Sequence, residues 1–469
     1  MNEVDVLIIG AGPSGLTLAV DLVKQGIDCM VLEKRSSISS NLTRAFSVHA
    51  RTLELLHTRG LAKPIRERGI AVDSIPLLWG MHARFDNVPS EFREMLVIPQ
   101  YEVEDVLLER YLSLGGKILY EAEFVDLKQS SDKVSVRVNH DGLEQQIAAR
   151  YVVGADGHRS SVRKSIDVKF SGDCVLPSVI ISDAKIQRPP TAPLTLVANK
   201  KGFVFIAPFG DGYHRVLSWD LKLHPHQDES QDFERLQSMV RSILGQDLGI
   251  HAPRWLSRFS SHERVAEKYR VGRVFLIGDA AHVHSPAGGL GMNLGIQDAI
   301  NLGWKLGSVI QNNAPERLLD TYELEMRPLG LQAVKESGQL IREATGRRGP
   351  TAALKDALLC GVEKISPMKN FVENKLGRTI SGTNYTMRTL KSQKLRSASG
   401  TFAHDLMHND EVIEGLRSHK HVLVIPNNSQ LDSRPLDGKN YIQVNLKHAL
   451  WGNQPRLLRP DGYIDVWKP

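Results

Sequence analysis

Apolar and polar positions along this chain switch repeatedly between strand and helix periods. Val4 to Ile9 is a nearly unbroken apolar run of strand length, Leu16 to Val23 has helical spacing, and Cys29 to Leu32 is strand-like again. An apolar run of that kind predicts a strand covered on both faces, with a crossover helix between parallel neighbours. A helix follows from Arg51 to near Gly60, and another from Val103 to Leu114, which stops at Gly115-Gly116. Lys117 to Phe124 reads as a strand. Val134 to Val138 and Gln146 to Val153 read as hairpin arms around the turn Asn139-His140-Asp141-Gly142.

From about 175 to 270 helical periodicity fades, except at Ser230 to Leu244. Short β-type runs replace it: Val175–Ala184, Leu194–Val197, Phe203–Pro208 and His214–Asp220. The α/β pattern returns at Val274 to Ile277, followed by a long helix to about Gln311 and further helices from Pro315 to about Ile341. Residues 345–400 are basic and helical to irregular, matching no pattern. Val422–Ile425 and a hairpin-like end, Arg456 to Trp467, close the chain. The fold class is therefore α/β. A Rossmann-like domain is assembled from 1–70, 101–174 and 271–345, and 71–100 with 175–270 form an inserted, mainly antiparallel sheet for substrate. Residues 346–399 are a helical connection and 400–469 a small C-terminal domain.

Composition narrows the function classes. With 59 basic and 53 acidic residues among 469 the charge is +6, interspersed and without a Lys/Arg run, which argues against a nucleic-acid partner. The three cysteines, Cys29, Cys174 and Cys360, are widely spaced and include no C-x-x-C, which argues against a disulfide framework or zinc site. The first apolar run is broken by glycines and flanked by Asp5 and Asp21, unlike a signal peptide or membrane span. A cytoplasmic enzyme is the expectation, with no membrane partner.

The turns carry the chemistry. Gly10, Gly12 and Gly15 form G-x-G-x-x-G between strand and helix, with Pro13 and Ser14 inside it and Glu33 ending the next strand. The glycines allow a tight turn and close approach of a pyrophosphate to the helix N-terminus, and the acid suits ribose hydroxyls. Glu33 favours NAD or FAD over NADP. Two later strands also end in turns that pair glycine with an acid: Asp156-Gly157, whose carboxylate suits ligand hydroxyls and for which a plain Asp-Gly turn is the lesser alternative, and Gly278-Asp279. After the second come Pro286, Gly288, Gly289, Leu290, Gly291, Met292 and Asn293, a loop that lets backbone press against a flat ligand and opens the long helix. The positive end of that helix suits the negative charge of a reduced flavin. His282 and His284 read as loop-supporting residues rather than metal ligands. Phe203, Phe205, Phe209, Tyr213 and Trp219 suit an aromatic cavity or a plain sheet core equally.

The order of these three motifs resembles the FAD-dependent aromatic hydroxylases, the single-component flavoprotein monooxygenases, over residues 1 to about 340. The resemblance implies that Glu33 binds the adenosine ribose, with Lys34 and Val125 in the same cofactor-binding set. It implies that Asp279 and the loop to Asn293 bind the ribityl chain and isoalloxazine, and that Asp156-Gly157 serves FAD and the nicotinamide coenzyme. Gln100 matches the family's flavin-contacting glutamine and Arg44 its flavin- or coenzyme-contacting arginine. Arg459-Pro460-Asp461-Gly462-Tyr463 looks like the end of the thioredoxin-like domain of polyketide and antibiotic hydroxylases, although no cysteine lies beyond Cys360. Leu290 departs from that branch, where Gln is common. The implied reaction uses FAD with NAD(P)H and O2 as cosubstrates and hydroxylates an aromatic ring through a C4a-hydroperoxyflavin. Epoxidation, Baeyer–Villiger oxidation and non-catalytic FAD binding stand as alternatives; a halogenase would carry W-x-W-x-I-P, which is absent. No catalytic side chain or metal is assigned. The partner is an aromatic small molecule, the assembly a monomer or homodimer, and the reaction belongs between the loop Pro286–Asn293 and the inserted sheet.

Overall fold

The computed structural model describes residues 2–36, 45–77, 81–199, 201–222, 229–344, 366–386, 400–426, 441–446 and 455–465. Arg44, Trp79, Cys360 and the last residues of the expected hairpin lie outside them. The apolar strand Asn2–Ile9 is central to the largest sheet. Cys29–Leu32 and then Lys117–Leu119 pair parallel on one side, and Leu143–Gly154 and then Val274–Leu276 on the other. Val6, Leu7 and Ile8 are fully buried, as a strand covered on both faces requires.

The hairpin turns at Asp141-Gly142, both at positive φ, and joins Val134–His140 to Leu143–Gly154. The run Lys117–Phe124 does not form one strand. It breaks into Lys117–Leu119, in the parallel sheet, and Ala122–Gln129, in the antiparallel arm. Glu121 turns the corner at positive φ. Its N–H donates to the Arg35 carbonyl and that of Ala122 to the Glu33 carbonyl, so the corner wraps the end of Cys29–Leu32.

The inserted sheet has six antiparallel strands in the order Thr195–Asn199, Gly202–Pro208, Tyr213–Asp220, Phe170–Ile186, Ile250–Ala266 and His282–Val283. Period-2 alternation separates its faces. Val204 and Ile206 pack with Leu236 and Val240 of helix Asp232–Leu244, while Phe203, Leu217 and Trp219 face the other way. Ile250–Ala266 escapes the sequence pattern because Pro253 and a run of Ser, His, Arg and Glu residues interrupt its apolar positions. Pairing along Phe170–Ile186 holds it extended.

Helices Pro13–Lys24 and Leu290–Ile310 lie side by side and point the same way. Ser14, Asp21 and Gln25 meet Gly295, Gly303 and Gly307 in turn, so both N-termini open at one end of the sheet. Ser47–His49, Met95–Val97 and Ile70–Val72 form a small sheet beside that end. The C-terminal unit sets His421–Pro426 between parallel Tyr441–Leu446 and antiparallel Arg456–Leu458, with helix Asp410–Arg417 against it.

Candidate active site

The three fingerprint glycines differ in what makes them glycine. A Cβ on Gly10, at φ +109°, would lie 2.4 Å from the Ala155 carbonyl oxygen, and one on Gly15 would lie 2.0 Å from that of Gly10. Those two serve the protein's own packing. A Cβ on Gly12 would meet nothing within 4 Å, and Gly12 sits at φ −74°, open to any residue. The face over the helix N-terminus is thus an open cradle, with room for a ligand to come close to backbone.

Glu33 is buried beside this cradle. Its carboxylate accepts the Ala11 N–H at 2.9 Å, the Arg35 N–H at 2.9 Å and the Arg35 guanidinium. Burial works against the charge, but Arg35 and these donors hold its pKa below the usual range. Lys34 is exposed next to it, and Val125 is exposed on the neighbouring strand. Asp156 does two things: Oδ2 accepts the N–H groups of Ser161 and Val162 at 2.7 and 3.0 Å, whereas Oδ1 is buried without a protein partner. The Asp-Gly turn is real, with Gly157 at φ +79°, and it leaves one acceptor free beside Gly10.

The Gly278-Asp279 turn locks to the G-x-G-x-x-G turn through Ser14. A Cβ on Gly278 would lie 2.5 Å from the Ser14 Oγ, and one on Gly295 2.2 Å from it, so Ser14 fills the seam between the two loops. Asp298 accepts the Gly278 N–H at 2.9 Å and pairs with His282 Nε2 at 2.6 Å, while Asp279 is exposed at the turn. Burial opposes protonation of His282, but the Asp298 carboxylate overrides it and raises its pKa. A raised folded pKa stabilises fully below the unfolded value near 6.5 and loses that contribution as pH rises through the folded value. The melting-temperature gap between the native chain and Asp298→Asn is therefore expected to be wider at pH 6 than at pH 9; an unchanged gap would count against the pairing.

The glycine loop is held from behind. Asn293 donates to the Ser47 and Gly289 carbonyls at 3.0 and 2.8 Å and accepts the His49 N–H at 2.8 Å. His49 Nε2 meets the Gly288 carbonyl at 2.7 Å, and burial pulls His49 down to about 4, so it is neutral. His284 is lowered to about 4 in the same way. Leu290 and Met292 are buried in the core, so from this loop it is backbone that remains for a ligand, with Gly288 and Gly289 at positive φ. Gln100 opens helix Gln100–Ser113. Its side chain accepts the Ala45 N–H at 3.4 Å and donates to Glu104, which burial raises to about 7.

Pro286, Ala287 and Gly288 form one wall of a cavity of about 400 Å³. Phe203 and Phe205 of the inserted sheet face it, as do Leu340 and Ile341 of helix Asp320–Ala344 and Val372 and Leu376 of helix Ser366–Ile380. The aromatic residues thus divide by role. Trp219 stacks behind Phe203, Phe209 lies under Arg215, and Tyr213 lies under Arg254. Sequence reasoning missed helix Ser366–Ile380 as a wall; its apolar spacing at Val372, Leu376 and Ile380 was the available signal. Among the described residues no group of His, Cys, Asp and Glu could hold a metal, and no helix is long and apolar enough to cross a membrane.

The chain is 38% identical over 352 residues to the rifampicin monooxygenase of Streptomyces venezuelae, covering 74% of this chain and 73% of the relative. It is 35% identical over 357 residues to the 12-dehydrotetracycline 5-monooxygenase/anhydrotetracycline 6-monooxygenase of Streptomyces rimosus, covering 71% and 68%. The structure of OxyS anhydrotetracycline hydroxylase from Streptomyces rimosus superposes with a TM-score of 0.82 at 29% identity, over 99% of this chain and 95% of that one. Residues 3–337 match the family model described as FAD binding domain, so the chain belongs to that family and is an FAD-dependent monooxygenase of the aromatic-hydroxylase type.

Proposed function

We propose that this chain uses NAD(P)H and O2 to place one oxygen atom on an aromatic ring of the polyketide or antibiotic kind, held in the 400 Å³ cavity. The observation that carries this reading is the shared wall: Pro286 to Gly288 belong both to the glycine loop and to the cavity. When bound, FAD supplies the redox chemistry, accepting hydride from the coenzyme and activating O2 for transfer to the ring.

The chain's own residues position and seclude. The open face at Gly12, with Pro13, Ser14 and the N–H groups of their helix, would hold the pyrophosphate. Glu33 would take the adenosine ribose, with Lys34 and Val125 at the adenine end. The free Oδ1 of Asp156 is an acceptor for a ligand hydroxyl or coenzyme amide. Asp279 would meet the ribityl chain and the backbone of Gly288 to Asn293 the flavin edge; Gln100 and Arg44 are the further flavin or coenzyme contacts that the family resemblance implies. The apolar walls exclude water from the ring to be oxidised.

The test is NAD(P)H consumption by the flavin-loaded chain with phenols, anthraquinones, anhydrotetracycline and rifampicin. Oxidation is expected to accelerate with at least one ring compound, whose product gains the mass of one oxygen. Coenzyme oxidation that no ring compound accelerates, with no oxygenated product, would sink the reading.

A further inference from the structure

The cavity walls are almost wholly apolar, and Glu336 is the one ionisable side chain among the described residues that line it. Gln339 and Thr379 are the other polar ones. Glu336 stands on helix Asp320–Ala344, next to Ser337, whose carbonyl accepts the Ser285 hydroxyl at 3.1 Å, so it adjoins the segment leading into the glycine loop. Leu340, one turn on, would be 3.7 Å from a Cβ on Gly288.

Two neutral donors fix the carboxylate. The Tyr385 hydroxyl donates to Oε2 at 3.1 Å, and the Gln332 amide donates to Oε1 at 2.8 Å. Burial, and then the neighbouring carboxylate, push the Tyr385 hydroxyl well up, so it stays a proton donor. An ionised carboxylate offers about four acceptor sites, of which these contacts use two. The remaining acceptor sites of this half-exposed carboxylate are open to a donor on whatever fills the cavity, in place of water. The lining has no Lys, Arg or His among the described residues, so an anionic occupant would meet like charge with no compensating cation.

We propose that Glu336 accepts a hydrogen bond from a ring hydroxyl of the substrate. The substrate class is therefore a neutral, largely apolar phenol, and not an aromatic acid. Glu336 fixes which edge of the ring faces the glycine loop, and it draws the hydroxyl proton toward itself, which enriches the ring in electrons at the carbons to be oxidised. The proposal rests on the reading of the cavity as the substrate site.

Binding of 2-hydroxyanthraquinone, its methyl ether and anthraquinone-2-carboxylate to the holoenzyme tests it, read by flavin absorbance and by calorimetry. The hydroxyl compound is expected to bind about tenfold or more tighter than the ether, from the usual worth of a hydrogen bond to a charged acceptor, with the carboxylate weakest. In Glu336→Ala the hydroxyl and ether affinities converge within about twofold while ether binding holds, and Glu336→Gln keeps part of the preference. An equal preference in the native chain and both variants, or no binding of either ring, overturns the proposal. A chain that takes up no FAD sinks the monooxygenase reading instead, and calorimetry still reports on Glu336.

Discussion

Gly15→Ala is expected to prevent folding of the nucleotide-binding half, whereas Gly12→Ala is expected to leave the apoprotein folded and weaken FAD binding about 10–100-fold. The two positions are three residues apart in one motif, yet the structure gives them opposite reasons to be glycine. A Cβ on Gly15 would sit 2.0 Å from the Gly10 carbonyl oxygen, a backbone atom that cannot swing away. Gly10 cannot retreat, because it faces the Ala155 carbonyl just past the end of the neighbouring strand and already needs φ +109°. The cost exceeds the ~1–3 kcal/mol of ordinary overpacking, where side chains share the strain. At Gly12 an added methyl meets only open space, so the apo fold has nothing to lose. What it obstructs is the close approach of a pyrophosphate. Far-UV circular dichroism and melting of the apoproteins, followed by FAD titration, separate the two outcomes. Gly12→Ala with native FAD affinity would refute the cradle.

The second large effect lies far from the cofactor. Arg459→Ala is expected to destabilise the chain by about 3–5 kcal/mol, because it leaves buried carboxylates unpaired. Arg459 donates to both oxygens of Glu325 at 2.8 Å and also pairs with Asp461. Asp461 in turn accepts from the Trp304 ring N–H at 3.0 Å and the Asn301 amide at 3.3 Å, and Lys305 donates to Glu325 at 2.9 Å. Trp304, Asn301 and Lys305 all belong to helix Leu290–Ile310, whose N-terminus is the glycine loop. The Arg-Pro-Asp-Gly-Tyr tail is thus the latch that ties the C-terminal unit to that helix. Burial opposes ionisation of Glu325, yet Arg459 and then Lys305 hold it at about 2 against an ordinary 4.5. A depressed pKa stabilises above the unfolded value and loses that contribution as pH falls through the folded one. The native chain should therefore lose the latch between pH 4.5 and about 2, and Arg459→Ala should move that loss upward. Thermal melts across this range, with limited proteolysis of the C-terminal unit, measure both; an Arg459→Ala chain as stable as the native one would remove the latch from the account.

A second contact binds the C-terminal unit to the same region. Arg51 is fully buried, 3.8 Å above the Phe402 ring, and shares His404 with Glu54. Its helix follows directly from the strand carrying Ser47 and His49, the residues that brace the glycine loop. Arg51 and Glu54 were visible in the sequence as part of an Arg-Thr-Leu-Glu run, but nothing there joined them to a histidine 353 and 350 residues away.

What the sequence determined by itself was whatever depends on a few consecutive residues. The buried strand Asn2–Ile9, the G-x-G-x-x-G turn with Glu33, the Asp141-Gly142 hairpin and the turns at Asp156-Gly157 and Gly278-Asp279 are set by side-chain period and backbone freedom, which act over one or two turns of chain. The order of those turns was sufficient for the family. Tertiary structure decided what depends on residues brought together from separate segments. It bent Lys117–Phe124 into two strands around the end of Cys29–Leu32, and held the polar run Ile250–Ala266 extended against a neighbour that supplies its hydrogen bonds. It turned Asn293 inward as a brace, and it closed a cavity from walls as distant as Phe46 and Ile380. In sequence Glu336 is one charge among several on a long helix; only the Tyr385 hydroxyl and the apolar cavity lining beside it set it apart. The environment of a side chain is the sum of segments that no local period specifies.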